Sequence, residues 1–83
     1  MQPGDLVRAC AGKDKGKVFL VLSVQGKDVL LVNGRRRKVQ RPKRKAIRHV
    51  CPVAAAVLPE PVTNKTVKAL LRPFYTKEHK EET

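Results

Sequence analysis

Residues 4–18 read Gly-Asp-Leu-Val-Arg-Ala-Cys-Ala-Gly-Lys-Asp-Lys-Gly-Lys-Val, a short apolar strand that enters a glycine- and lysine-rich loop and returns at once to apolar residues. That order narrows the fold, because a polar loop held tightly between two strands is a rigid platform for ammonium groups. Gly12 and Gly16 bracket Lys13, Asp14 and Lys15, so the backbone can take positive φ there and another molecule can approach closely. The pattern predicts the opening of a small barrel whose first loop grips polyanions.

The rest of the chain continues in short apolar runs. Residues 5–11 and 17–24 are predicted strands, the second a run of Val18, Phe19, Leu20, Val21, Leu22 and Val24 broken only by Ser23. β-Branched and aromatic content with flanking glycines favours strand over helix. A turn centred on Gly26 leads to a third strand at 29–32. Asn33-Gly34 is the strongest hairpin signal in the chain, since both central residues of a type I′ turn need positive φ. It predicts a fourth strand over 35–40, a connection over 41–45 and a fifth strand over 46–51. Short strands with a turn every eight to ten residues favour a small closed barrel over residues 1–51. Residues 52–75 form an extension in which Thr63 or Asn64 can cap a helix over about 64–72. Val67, Leu70 and Leu71 lie on one face of that helix, which is expected to stop before Pro73. Residues 76–83 read as a charged, disordered tail.

Charge sets the partner class. With 19 basic against 7 acidic residues, the formal charge is +12 over 83 residues. Self-repulsion of that size destabilises a compact state, and a bound polyanion would offset it. No apolar run approaches membrane-spanning length, and residues 1–4 lack the layout of an export signal, which predicts a cytoplasmic protein. Cys10 and Cys51 share no metal-type pair spacing, and in that compartment they are expected as reduced thiols.

Over residues 4–50 the sequence resembles the KOW motif family, whose members fold as SH3-like five-stranded barrels. Carrying the resemblance are Gly4-Asp5-Leu6-Val7, Gly12-Lys13-Asp14-Lys15-Gly16-Lys17-Val18 and the apolar strand after it. Val29 to Val32, Asn33-Gly34 and the basic stretch from Pro42 to Val50 are similar to eukaryote-type large-subunit ribosomal proteins with a single KOW unit. The sequence is also similar to short bacterial KOW-domain RNA-binding proteins, which its length favours. Ala46 departs from the polar residue usual in related sequences. The resemblance implies RNA binding on or near the ribosome, with large-subunit ribosomal RNA as the partner and ribosomal proteins as further candidate partners.

The residues expected to bind RNA fall in two groups. Lys13, Lys15 and Lys17, with the backbone around Gly16, would contact phosphates as point charges without reading sequence. Arg35, Arg36, Arg37, Lys38, Arg41, Lys43, Arg44, Lys45 and Arg48 place nine cations in fourteen positions, far beyond what solubility needs. Guanidinium groups grip phosphates with paired bonds and stack on unpaired bases. His49 is a candidate for a base stack or a backbone hydrogen bond. With Cys10 and Cys51 it offers at most three ligands in no usual zinc spacing, so neither metal nor cofactor is expected. Acidic groups are few and no nucleophile–base set is recognisable, so no enzyme activity or small-molecule substrate is expected. The competing readings are a transcription-elongation accessory that docks on protein through its barrel, and non-specific polyanion binding.

Overall fold

In a computed structural model, which describes the backbone of residues 1–82 and the side chains of residues 1–74, the chain forms five strands, a 3-10 turn and one helix. The strands are β1 (Leu6–Ala9), β2 (Val18–Gln25), β3 (Asp28–Val32), β4 (Lys43–Ala46) and β5 (Val50–Ala54). They make one antiparallel sheet in the order β4-β3-β2-β1-β5. Register shifts between Val21 and Ser23 on β2, and between Leu6 and Val7 on β1, bend the sheet. Its two edge strands are joined by the 3-10 turn Ile47–His49. The result is a small, mostly β, barrel-like domain of five antiparallel strands followed by one helix, in line with the barrel that the strand spacing predicts.

The uninterrupted apolar run of β2 has a direct cause. Side chains alternate across a strand, so a half-solvated sheet shows apolar and polar residues in turn. Here both faces are covered. Phe19 and Val21 enter the barrel core with Val7, Ala9, Val29, Leu31 and Val50. Val18 and Leu20 face the other way, into a second cluster with Leu6, Val32, Val67 and Leu71. That cluster is roofed by helix α1 (Asn64–Glu82) and by Val53, Ala56, Leu58 and Val62 of the extension. Thr63 caps the helix, its Oγ1 accepting from the Thr66 N–H at 3.1 Å.

Several expectations are corrected. Residues 35–40 form no strand; the fourth strand is Lys43–Ala46, which takes up most of the expected connection and the first residue of the expected fifth strand, and pairs with β3 from Asp28↔Ala46 to Leu31↔Lys43. A type I′ hairpin would require Asn33 at positive φ, yet among the described residues only glycines adopt it. Asn33 instead bends the chain with its side chain, as described below. Ala46 ends β4, and β5 begins at Val50 and continues past Pro52 to Ala54. Proline is tolerated there because β5 is an edge strand and has a ladder on one side only.

Helix α1 passes through Pro73 rather than stopping before it. Proline removes the bond to the carbonyl four residues back. That residue, Ala69, is exposed, while Leu71 and Phe74 on either side of Pro73 pack on the sheet. Packing on both sides outweighs the local rule. Of the tail expected over 76–83, the backbone to Glu82 continues the helix, and Thr83 lies outside the described residues, as do the side chains. Cys10 and Cys51 form a disulfide rather than two thiols, with Cα atoms 6.3 Å apart. The pairing of Arg8 with Cys51 and Ala9 with Val50 brings them together across 41 residues, a proximity created by sheet register and invisible in their spacing.

Candidate nucleic-acid interface

The glycine–lysine loop (residues 12–17) is built from main-chain bonds. The Gly16 N–H donates to the Ala9 carbonyl at 2.8 Å, and the Ala9 N–H donates to the Lys17 carbonyl at 2.9 Å. Lys15 N–H donates to the Gly12 carbonyl and Lys17 N–H to the Asp14 carbonyl. Gly16 takes φ +92°, as its place at the loop exit requires. Arg8, on the outward side of β1, donates from Nη1 to the Gly16 carbonyl at 2.7 Å and braces the loop from below. The Gly16 N–H, expected to face phosphate, is therefore committed to the fold.

The arginine loop (residues 33–41) is built from one side chain. Asn33 is buried, and its Oδ1 accepts from the N–H of Arg35 at 2.9 Å and of Arg37 at 3.0 Å. Its own N–H donates to the Arg37 carbonyl, as does that of Gly34. The turn then rests on helix α1. Asn64 Oδ1 accepts from the Val39 N–H at 2.8 Å, and its Nδ2 donates to Gln40 Oε1 at 2.9 Å. Gly34, at φ +76°, sits so near the helix that a Cβ there would lie 2.5 Å from the Asn64 carbonyl oxygen.

Between the two loops lies an open cleft of about 480 Å³. Lys13 and Lys17 line it from one loop, Arg36 and Arg37 from the other, and Lys43 from β4; Phe19, Asn33 and Asp14 complete the lining. Asp14 is its single carboxylate. Lys43 Nζ lies 3.0 Å from Oδ2 and Lys17 Nζ 3.7 Å from Oδ1. The Lys43 contact is a charge pair rather than an aligned hydrogen bond, since buried Oδ2 has no hydrogen-bond partner. The Lys43 ammonium holds the Asp14 carboxyl below the usual carboxylate range against the opposing effect of burial, with Lys17 and Arg37 adding to it. Asp14 thus stays charged and spaces cations that would otherwise repel one another.

The cleft unites Lys13, Lys17, Arg36, Arg37 and Lys43 of the expected site and leaves the others outside its lining. Lys15, Arg35, Lys38, Arg41 and Arg48 are exposed elsewhere on the loops and the 3-10 turn. Lys45 shares the face of Lys43 on β4 and reaches toward Gly12, where its Nζ would stand 3.2 Å from an added Cβ. Arg44 points to the opposite end of the sheet, where it bonds Asp28 Oδ2 at 3.2 Å and Gln25 Oε1 at 2.7 Å. His49 receives the Arg48 Nε–H at 3.5 Å, and its carbonyl accepts from the Cys10 N–H. Sequence reasoning missed Arg8 and Asn64. A polar residue in an apolar strand beside a glycine loop is a usable signal for the first, and nothing local marks the second. No known protein-family model and no curated protein matches this chain.

Proposed function

We propose that this protein binds RNA by seating the phosphate backbone in the cleft between the glycine–lysine and arginine loops. The observation that carries this reading is the convergence of five cations on one concavity around a single carboxylate whose pKa Lys43, Lys17 and Arg37 lower. Lysines supply point charges and the paired arginines supply forked donors that fit phosphate oxygens. The net charge of +12 and the resemblance to KOW proteins support RNA of the translation apparatus as the ligand, with large-subunit ribosomal RNA as the first candidate and the cytoplasmic ribosome as the setting. No enzymatic step is proposed. Disulfides are uncommon in reducing compartments, so the Cys10–Cys51 bond is the one observation a cytoplasmic setting does not account for.

The protein-docking alternative needs an exposed apolar patch. Among the described residues the exposed large hydrophobics are Met1 and Val57 alone, two side chains and not a broad patch. No helix among the described residues is long and apolar enough to cross a membrane.

A salt titration by filter binding tests the cleft. Each neutralised phosphate on a single strand adds about 0.7 to the log–log slope, so five engaged cations give roughly −3.5. Arg36→Gln with Arg37→Gln should flatten that slope by about 1.4. Lys15→Gln, outside the cleft, should change it least. A parental slope in the double arginine variant would reject the cleft as the binding site. Sedimentation of a lysate at low and high salt tests the ribosomal setting, which predicts co-migration with large subunits that persists at high salt.

A further inference from the structure

The exposed face of helix α1 carries Lys65, Lys68 and Arg72, at spacings of three and four residues that put them on one side of the helix. Val67 and Leu71 are buried on the opposite side, in the cluster against the sheet. We propose that this face is a second contact for the strand held in the cleft, so that an RNA backbone runs from the cleft over the arginine loop and along α1. The inference rests on the cleft reading above and extends its footprint.

Three observations support the path. First, the two surfaces touch: Lys68 packs against Gly34, its Cγ 2.8 Å from where a Cβ would stand, and Asn64 fixes the helix start to Val39 and Gln40. At 1.5 Å rise per residue, Lys65 to Arg72 prolongs the basic surface by about 10 Å. Second, the face is of one sign. From Asn64 to Phe74, the part that borders the arginine loop, there is no acidic residue, the glutamates of α1 all falling at 78, 81 and 82, whereas a surface kept only for solubility mixes both signs. Third, the charges are placed against local preference. The first turn holds Lys65 and no acidic residue, although the helix dipole there favours anions, and it abuts a loop already rich in arginine. Such a departure from local rules marks a functional surface rather than a stabilising one. A long phosphodiester strand is the ligand that neutralises all three features together.

The test compares two variants on two probes. Lys65→Gln with Lys68→Gln keeps the Lys68 stem on Gly34, and Arg36→Gln with Arg37→Gln reports on the cleft. On a long oligouridylate, the lysine pair should lower the salt slope by about 1.4, as the arginine pair does. On a uridine trinucleotide, which fills the cleft alone, only the arginine pair should matter. A parental slope for the lysine pair on the long strand, with the arginine pair still flattened, overturns the helix contact and leaves the cleft reading standing. If neither pair moves the slope, the cleft reading fails and the extension with it. Loss from the lysine pair on the trinucleotide also overturns the path, because a ligand confined to the cleft cannot reach Lys65. Should the double variant melt below the parent, Lys65→Gln alone carries the same test at half the slope change.

Discussion

The two loops that flank the cleft present similar charge by different means. The glycine–lysine loop closes on itself and on β1 through main-chain hydrogen bonds between residues at most eight apart, with Arg8 beneath it. The arginine loop is shaped by the Asn33 side chain and then leans on Asn64, a residue 25 positions beyond Val39. One half of the cleft thus belongs to the barrel, and the other half is on loan from the C-terminal helix. The geometry of Lys13 and Lys17 should survive damage to α1, while that of Arg36 and Arg37 should not.

Leu71→Ala is the largest blow to that arrangement. Leu71 is fully buried between α1 and the sheet, and such truncations cost about 2–5 kcal/mol. Total stability for a chain of this size is about 8 kcal/mol, so thermal denaturation should show a large drop. RNA affinity measured well below the melting transition should also fall, with its salt slope reduced toward that of the double arginine variant. Parental affinity at that temperature would show that the arginine loop does not depend on the helix.

A glycine pair sharpens the same contrast. Gly16 and Gly34 both take positive φ, which costs a non-glycine residue about 1–2 kcal/mol. A Cβ on Gly16 meets nothing within 4 Å, whereas one on Gly34 collides with Asn64 and Lys68. Gly34→Ala should therefore melt lower than Gly16→Ala in urea denaturation and should also weaken RNA binding, because the helix must move away from the loop. Equal melting of the two variants would remove the claimed close approach.

This contrast explains what the sequence could disclose. Gly12, Gly16 and the lysines between them are contiguous, and the strand–loop–strand order states their geometry locally, so barrel class and first loop were legible. The Asn33-Gly34 pair was legible as a bend but not as this bend. A hairpin turn and an asparagine-wrapped loop use the same two residues, and the choice is made by α1 packing on Gly34. The true β4, Lys43-Arg44-Lys45-Ala46, has almost no apolar signal because none of its side chains joins either core cluster, and Lys43 faces the cleft instead. The Cys10–Cys51 bond and the passage of α1 through Pro73 both depend on contacts far apart in sequence. Charge density identified the basic segment, yet only the fold separates Arg36 and Arg37 in the cleft from Arg44 at the far end of the sheet.

Asn64→Ala is the more selective probe of the loan. It removes the acceptor for the Val39 N–H and the partner of Gln40 while leaving the Thr63 cap and the buried face of α1 in place. A lost hydrogen bond of this kind costs about 1 kcal/mol. The expected outcome is a small fall in melting temperature with a disproportionate loss of RNA affinity. A stability loss with unchanged affinity would mean that Asn64 supports the helix alone.

The smallest effect concerns Asp14 and pH. Its carboxyl titrates below the usual range in the folded state, chiefly because of the Lys43 ammonium, so folding is favoured by its ionised form. The sign follows: this contribution is fully present above the unfolded-state pKa of about 4 and fades as pH falls through the lower folded-state value. Asp14→Asn removes it at every pH. The parent should accordingly exceed the variant in melting temperature at pH 6, and the gap should narrow as the two are compared at successively lower pH. Binding should move independently of stability, because Lys17 and Lys43 in the variant no longer have a competing carboxylate, yet they also lose the group that holds them apart. A gap that stays constant from pH 6 down to the acid transition would show that Asp14 contributes through packing and not through its charge.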